Sequence, residues 1–171
     1  MSPGHHRRWR PALFPKIIVY CDGACLHNGR NGASAGWGVY FEDPDLSHLN
    51  ESCRLSGEIQ TNQRAELMAM IRAAELSPRD GRRIIIRTDS MYSINTVTEW
   101  LPKWERNGWR NARGQPVSNQ DLIKRLDYEL YQHTPEPILE YVEAHSGLAG
   151  NEEADRLARE GARLTYYGYY S

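Results

Sequence analysis

Four acids stand where the surrounding sequence predicts an inward-facing neighbourhood. Asp22 closes the apolar run "IIVYC" at the point where a buried strand would stop, and Asp89 follows the run "RRIIIRT". Taken alone, Asp22 reads as a turn residue in Asp-Gly, and Asp89, or Ser90 after it, as a helix N-cap. Glu66 and Asp155 fall in the first turns of helical patterns, yet beside the apolar stripes. Glu66 stacks with Ala69, Met70 and Ala73, and Asp155 with Ala158 and Ala162. Singly, each could complement a helix dipole, as Glu152 and Glu153 also could. Gathered at strand ends and inner helix margins, the four carboxylates would repel one another unless a cation bound among them. Oxygen donors without clustered His or Cys suit Mg²⁺ or Mn²⁺. A pair of such ions can clamp the attacking and leaving oxygens of a phosphoryl displacement. The chain has no GxxxxGK[ST], which speaks against a P-loop nucleotide hydrolase.

The elements that must position these acids follow from periodicity. Strand-like runs come first, at Ile17–Cys21, from Gly36 in "GWGVYFE" and from Glu51 in "ESCRL"; the short polar links between them predict an antiparallel meander. In "TNQRAELMAMIRAAEL", Leu67, Met70, Ile71 and Ala74 fall on one helical face. "RRIIIRT" has the continuous apolar centre of a strand covered on both faces, and "DSMYSINTVTEW" follows it as a helix. "NQDLIKRLDYELYQH" then reads as a helix and "PILEYVEA" as a strand. "NEEADRLAREGARL" reads as a last helix with Ala154, Leu157, Ala158, Gly161 and Ala162 buried. The order βββαβααβα predicts an α/β fold: one five-stranded mixed sheet flanked by helices, with three antiparallel strands first and parallel strands after. The crevice at the ends of its parallel strands is where Asp22 and Asp89 fall.

Composition sets the bounds. A chain of 171 residues with 40% hydrophobic and 25% charged residues suits one domain. No apolar run approaches the ~20 residues of a membrane span, and the N-terminus lacks a signal peptide's apolar region. The expectation is an intracellular protein in nucleus or cytoplasm rather than mitochondrion, a monomer without a membrane partner. Cys21, Cys25 and Cys53 form no CxxC pair and are expected to be reduced thiols. The formal net charge of −1 means that any nucleic acid must be held by local basic patches. Residues 1–15, with three prolines and no acid, read as a flexible basic tail or linker remnant. Residues 165–171 read as a tyrosine-rich tail without assigned chemistry.

The stretches "YCDGACLHNG", "TNQRAEL", "IRTDSMYSINTVTEW", "NGW" and "HSGLAGNEEADRLAREGA" together resemble the type 1 ribonuclease H family, especially the catalytic domain of its eukaryotic members. The resemblance covers residues 16–164. It implies a ribonuclease H-like fold and hydrolysis of the RNA strand of RNA–DNA hybrids, leaving 5′-phosphate and 3′-hydroxyl ends. By the same resemblance, Asp22, Glu66, Asp89 and Asp155 are ligands of two Mg²⁺ ions, with Mn²⁺ able to substitute, and Asp22 is shared by both. His145, which alone reads as a surface-loop histidine, matches a mobile histidine that assists proton transfer or product departure. Glu152 matches an acid near the second metal.

The resemblance also distributes the nucleic-acid contacts. Asn28, Asn62 and Gln63 match residues touching the RNA strand, although Asn62 also reads as a helix cap. In "WLPKWERNGWRNARG", Trp100, Trp104 and Trp109 interleave with Lys103, Arg106, Arg110 and Arg113. This segment resembles a helical protrusion that follows the DNA strand, with Tyr92 and Trp100 against deoxyriboses and Trp104 beside them. At least one of the three tryptophans is expected to be core. Thr61 and Asn119 match a DNA-phosphate pocket whose usual arginine is replaced by Ile59. The phosphate is therefore expected to be held by neutral hydrogen bonds, unless Ile59 is a strand-end hydrophobe packed inside. A non-catalytic hybrid-binding module would be favoured by a missing carboxylate, and none is missing. "TNQRAE" and the tryptophan-rich segment speak against a transposase or junction resolvase.

Overall fold

The computed structural model describes residues 15–164; the tails expected at residues 1–15, Pro15 excepted, and 165–171 lie outside the described residues. The five strands are β1 (Ile17–Leu26), β2 (Ser34–Phe41), β3 (Glu51–Arg54), β4 (Ile84–Thr88) and β5 (Ile138–Tyr141). They form one sheet in the order β3-β2-β1-β4-β5. β1 pairs antiparallel with β2, and β2 with β3, while β4 runs parallel to both β1 and β5. The expected mixed sheet is present, with the Ile-rich β4 and the first half of β1 at its buried centre.

The helices are α1 (Asn62–Leu76), α2 (Met91–Asn95), α3 (Leu101–Asn107), α4 (Gln120–Tyr131) and α5 (Ala149–Arg163). Four differences from the periodicity reading stand out. β1 does not stop at Asp22 but continues to Leu26, because its pairing with β2 outlasts its pairing with β4. The helix after β4 widens into a π-turn over Thr96–Trp100 and continues as α3, which adds one helix to the expected order. A 3-10 helix, Pro44–Leu49, fills the link between β2 and β3. Finally, α5 begins two residues before Asn151. The helix caps are now settled: Thr61, not Asn62, accepts from the Arg64 N–H, and Ser90, not Asp89, from the Ser93 N–H.

Two glycines set how closely the helices approach. A Cβ on Gly38 of β2 would overlap the backbone of Ala154 and Ala158 in α5, and one on Gly23 of β1 would overlap the backbone of Ala65 and Glu66 in α1. Helix backbone therefore lies directly on sheet backbone at both places, on opposite faces. Paired residues of an antiparallel ladder share a face, so Asp22, opposite Gly38, points to the α5 side. A Gly38→Ala substitution is expected to cost about 2 kcal/mol, since the added methyl meets backbone that cannot rotate away. Urea unfolding would register it as a lower midpoint at unchanged slope, and a loss under about 0.5 kcal/mol would show that α5 yields freely.

Candidate active site

The register of the parallel strands brings the first two acids together. Tyr20 of β1 pairs with Arg87 of β4, and there the ladder ends. Asp22 and Asp89 each lie two residues further on, so they occupy equivalent positions on one face, side by side beyond the last shared rung. Asp155 sits one residue after Ala154, whose backbone lies against Gly38, opposite Asp22 in the β1–β2 ladder. Glu66 enters from α1, whose backbone lies on Gly23. The four acids singled out in the sequence thus gather at one end of the sheet.

Each is turned to its own donor. Asp22 Oδ1 accepts from the Gly23 N–H at 2.8 Å. Glu66 accepts from Asn62 Nδ2 at 2.7 Å and from the Ser90 hydroxyl at 2.6 Å. Asp89 Oδ2 accepts from Asn151 Nδ2 at 3.2 Å, and Asp155 Oδ1 from Arg159 Nε at 3.0 Å. Among the described residues no three carboxylates converge to ligand distance. Their proximity nevertheless registers in the ionisation of Asp22 and Glu66. Asp22 is only 6% exposed. Burial first, then the charges of Asp89 and Asp155 and last that of Glu66, push its carboxyl up to about 8, against the opposing hydrogen bond from the Gly23 N–H. Glu66 is also raised, by burial and by the charge of Asp89, while its bond from Ser90 pulls the other way.

A hollow of about 320 Å³ opens beside the acids, between Gly23–Leu26 with Asn62 on one side and Asp155, Arg159 and Arg163 on the other. His145 is exposed, in a turn before α5 with φ of 55°, and Glu152 is exposed in the first turn of α5. Asn28 Oδ1 accepts from the Asn62 backbone N–H at 3.2 Å, joining the β1–β2 loop to the start of α1.

A second hollow, of about 550 Å³, lies between the starts of α1 and α4, and Thr61, Gln63 and Asn119 line it. Gln63, expected on the RNA strand with Asn28 and Asn62, thus also borders the hollow of the expected DNA-strand pair. Ile59 also lines it and is 62% exposed, so it is not a packed hydrophobe. Nor is the hollow without a cation, because Arg64 lines it too. Arg64 donates to Asp121 at 2.9 and 2.7 Å and to Asn119 Oδ1 at 3.3 Å. Asp121 is held below the ordinary carboxylate range by that pairing. Asn119 in turn donates to the Tyr92 hydroxyl at 3.0 Å.

From Tyr92 an aromatic series runs through Trp100, Trp104 and Trp109, with centroid separations of 6.0, 5.8 and 5.8 Å, and ends under Lys124, 4.5 Å from the Trp109 ring. All three tryptophans are half-buried, and Trp104 and Trp109 pack against the hydrophobic core, as expected of at least one of them. Sequence reasoning gave no role to Ser90 beyond capping, and none to Arg64 or Asn151. The position of Asn151 in the first turn of α5, before the buried stripe, was the available signal.

Comparison with known proteins agrees with this geometry. Residues 15–163 match the family model described as RNase H. The Schizosaccharomyces pombe protein named Ribonuclease H is 47% identical over 151 residues, covering 88% of this chain and 54% of that one. The Ribonuclease H of Jannaschia sp. is 40% identical over 149 residues, covering 86% and 91%. The crystal structure of LC9-RNase H1, described as a type 1 RNase H with the type 2 active-site motif, superposes with a TM-score of 0.66 at 29% identity, covering 86% of this chain and 72% of that one. The chain spans about half the length of the eukaryotic relatives it matches.

The raised carboxyl of Asp22 has a consequence for stability. Its value in the fold, about 8, lies above its ordinary 3.8. The unfolded chain thus releases the proton first, and folded stability falls as pH rises between those values, the loss being complete above the upper one. Asparagine carries no such loss. In EDTA, Asp22→Asn is expected to exceed the parent in stability at pH 8 by on the order of 5 kcal/mol, with the difference vanishing near pH 4. Thermal denaturation at pH 4, 6 and 8 measures it, and parallel pH profiles for the two proteins would contradict the crowding of charge at Asp22.

Proposed function

The chain belongs to the ribonuclease H family, and from that premise we propose that it is an endoribonuclease hydrolysing the RNA strand of RNA–DNA hybrids, leaving 5′-phosphate and 3′-hydroxyl ends. The observation that carries this reading is the crowding of buried negative charge at Asp22, which a divalent cation would relieve. The donor set is all oxygen, as a hard cation requires. Asp22, Glu66, Asp89 and Asp155 would hold two Mg²⁺ ions, or Mn²⁺ in their place. Bound there, the ions would activate a water toward the scissile phosphate and stabilise the departing 3′ oxygen.

The remaining roles belong to the chain's own side chains. Ser90 and Asn62 hold the Glu66 carboxylate between β4 and α1. His145, in its exposed turn, carries a proton during cleavage or product departure, and Glu152 attends the same side from the start of α5. Asn28 and Asn62, with Gln63, bind the RNA strand, their amides donating to and accepting from 2′-hydroxyls. Tyr92, Trp100 and Trp104 pack on deoxyriboses, where a 2′-hydroxyl would be crowded. Thr61 and Asn119 take a DNA phosphate beside Arg64.

The direct test is incubation with end-labelled RNA–DNA hybrid, single-stranded RNA, duplex RNA and duplex DNA, each with Mg²⁺ or EDTA. Cleavage of the hybrid's RNA strand alone, and only with Mg²⁺, is the expected result; equal cleavage of duplex RNA would refute it. Asp89→Asn should fold and bind hybrid but lose about 10³-fold or more in kcat, the magnitude of several kcal/mol of cation-derived stabilisation. His145→Ala should lose about 10²-fold, because water partly replaces a mobile proton carrier. Equal losses in the two variants would show that the histidine's role is misassigned.

Ile59→Arg tests the phosphate hollow. Ile59 is exposed, so arginine there should leave the melting temperature nearly unchanged. It should lower KM for hybrid at moderate salt and steepen the salt dependence of binding by about one phosphate's worth. An unchanged salt slope would remove DNA phosphate from that hollow.

A further inference from the structure

Among the described residues, the only buried side-chain polar atom without a hydrogen-bond partner is Oδ1 of Asn151. Asn151 is 4% exposed and lies in the first turn of α5. Its neighbour Gly150 packs against the Tyr20 ring so closely that a Cβ there would overlap it. The amide is thus held in place by the sheet beneath it. A buried carbonyl with no donor loses its hydration and regains nothing, and a leucine of similar volume would avoid that cost. The other half of the same amide is engaged: Nδ2 donates to Asp89 Oδ2 at 3.2 Å, and Asp89 accepts no other hydrogen bond among the described residues.

We propose that Asn151 is a positioning residue for Asp89. Its N–H pins one carboxylate oxygen against α5, fixing the plane of the group and leaving Oδ1 of Asp89 as the oxygen that can take a cation. The neutrality of the amide matters. A lysine or arginine at this position would pair with Asp89 and compete with the cation, and a carboxylate would add a further like charge to those of Asp22, Glu66, Asp89 and Asp155. An amide orients the acid without using up its charge, as partners behind metal ligands commonly do. This inference rests on the cation-binding reading under Proposed function.

The test compares wild-type chain, Asn151→Leu and Asn151→Ala, each freed of metal with EDTA and dialysed, then titrated with Mn²⁺ by calorimetry alongside thermal denaturation and hybrid cleavage. Asn151→Leu is expected to melt at or above the wild-type temperature, since the unpartnered carbonyl is gone, while its Mn²⁺ affinity falls about tenfold. Asn151→Ala should melt lower because it leaves a void, yet lose the same affinity. In both, kcat should fall while KM for hybrid stays unchanged, which a purely structural role would not produce. Mn²⁺ affinity within about twofold of wild type in either folded variant would overturn the assignment, since a true positioning partner typically costs at least tenfold. So would failure of both variants to fold, which would make Asn151 a residue of the fold itself. A wild-type chain that binds no Mn²⁺ would defeat the underlying cation reading instead.

Discussion

Everything at the acidic end of this molecule depends on helix backbone lying directly on sheet backbone. At Gly23 and Gly38 there is no room for even a methyl group between the strands and the helices α1 and α5. That contact brings helical residues within a side chain's reach of the sheet, so Glu66 and Asp155 can share a neighbourhood with Asp22 and Asp89. With an ordinary layer of leucines between them, sheet and helix would stand ~10 Å apart, and short carboxylates could not meet across the gap. The α5 face is accordingly built of Ala154, Ala158, Gly161 and Ala162, all buried and all small.

Crowding four acids there opposes folding, and the chain offsets it locally. Each carboxylate has a donor: the Gly23 backbone for Asp22, Asn62 with Ser90 for Glu66, and two residues of α5, Asn151 for Asp89 and Arg159 for Asp155. Most of these donors are neutral. The negative charge is therefore oriented rather than cancelled, and it remains available to a cation. The chain as a whole is nearly neutral at −1, so this is a concentration of charge in one place rather than an acidic protein. Lys124 and the arginines between Trp104 and Trp109 and beyond lie on the opposite account, where a polyanion could be held.

What could be read in the sequence was whatever depends on local period or on ordered motifs. α1, β4, α4 and the stripe of α5 announced themselves by spacing, and the four acids by their conflict with the apolar pattern around them. What could not be read depends on partners distant in sequence. β1 runs past Asp22 because β2 continues to pair with it, a fact invisible in "IIVYCDG" itself. Arg64 carries no signal of its own in the sequence, and only the fold sets Asp121 and Asn119, more than fifty positions later, against it. Asn151 looked like a helix-start residue, and its bond to Asp89 spans 62 positions. Ile59 posed a choice between pocket and core that sequence left open, and its exposure decides it.

The first turn of α1 joins these features into one device. Successive residues of a helix point about 100° apart, so Asn62 and Glu66, four apart, share a side, while Gln63 and Arg64 turn away from it. Asn62 and Glu66 are in contact with each other at the acidic end. Thr61, Gln63 and Arg64 line the hollow beside α4. One rigid turn therefore fixes the separation between the carboxylates and the hollow. Asn119 ties that hollow to Tyr92, and Ser90, two residues before Tyr92, ties the same segment back to Glu66. Three hydrogen bonds, Arg64 to Asn119, Asn119 to Tyr92 and Ser90 to Glu66, thus close a loop through the backbone that joins Arg64 to Glu66 and Ser90 to Tyr92. The acids and the hollow thus stand at a separation built into the fold, set by one helical turn and closed by hydrogen bonds that cross from α1 to α4 and back.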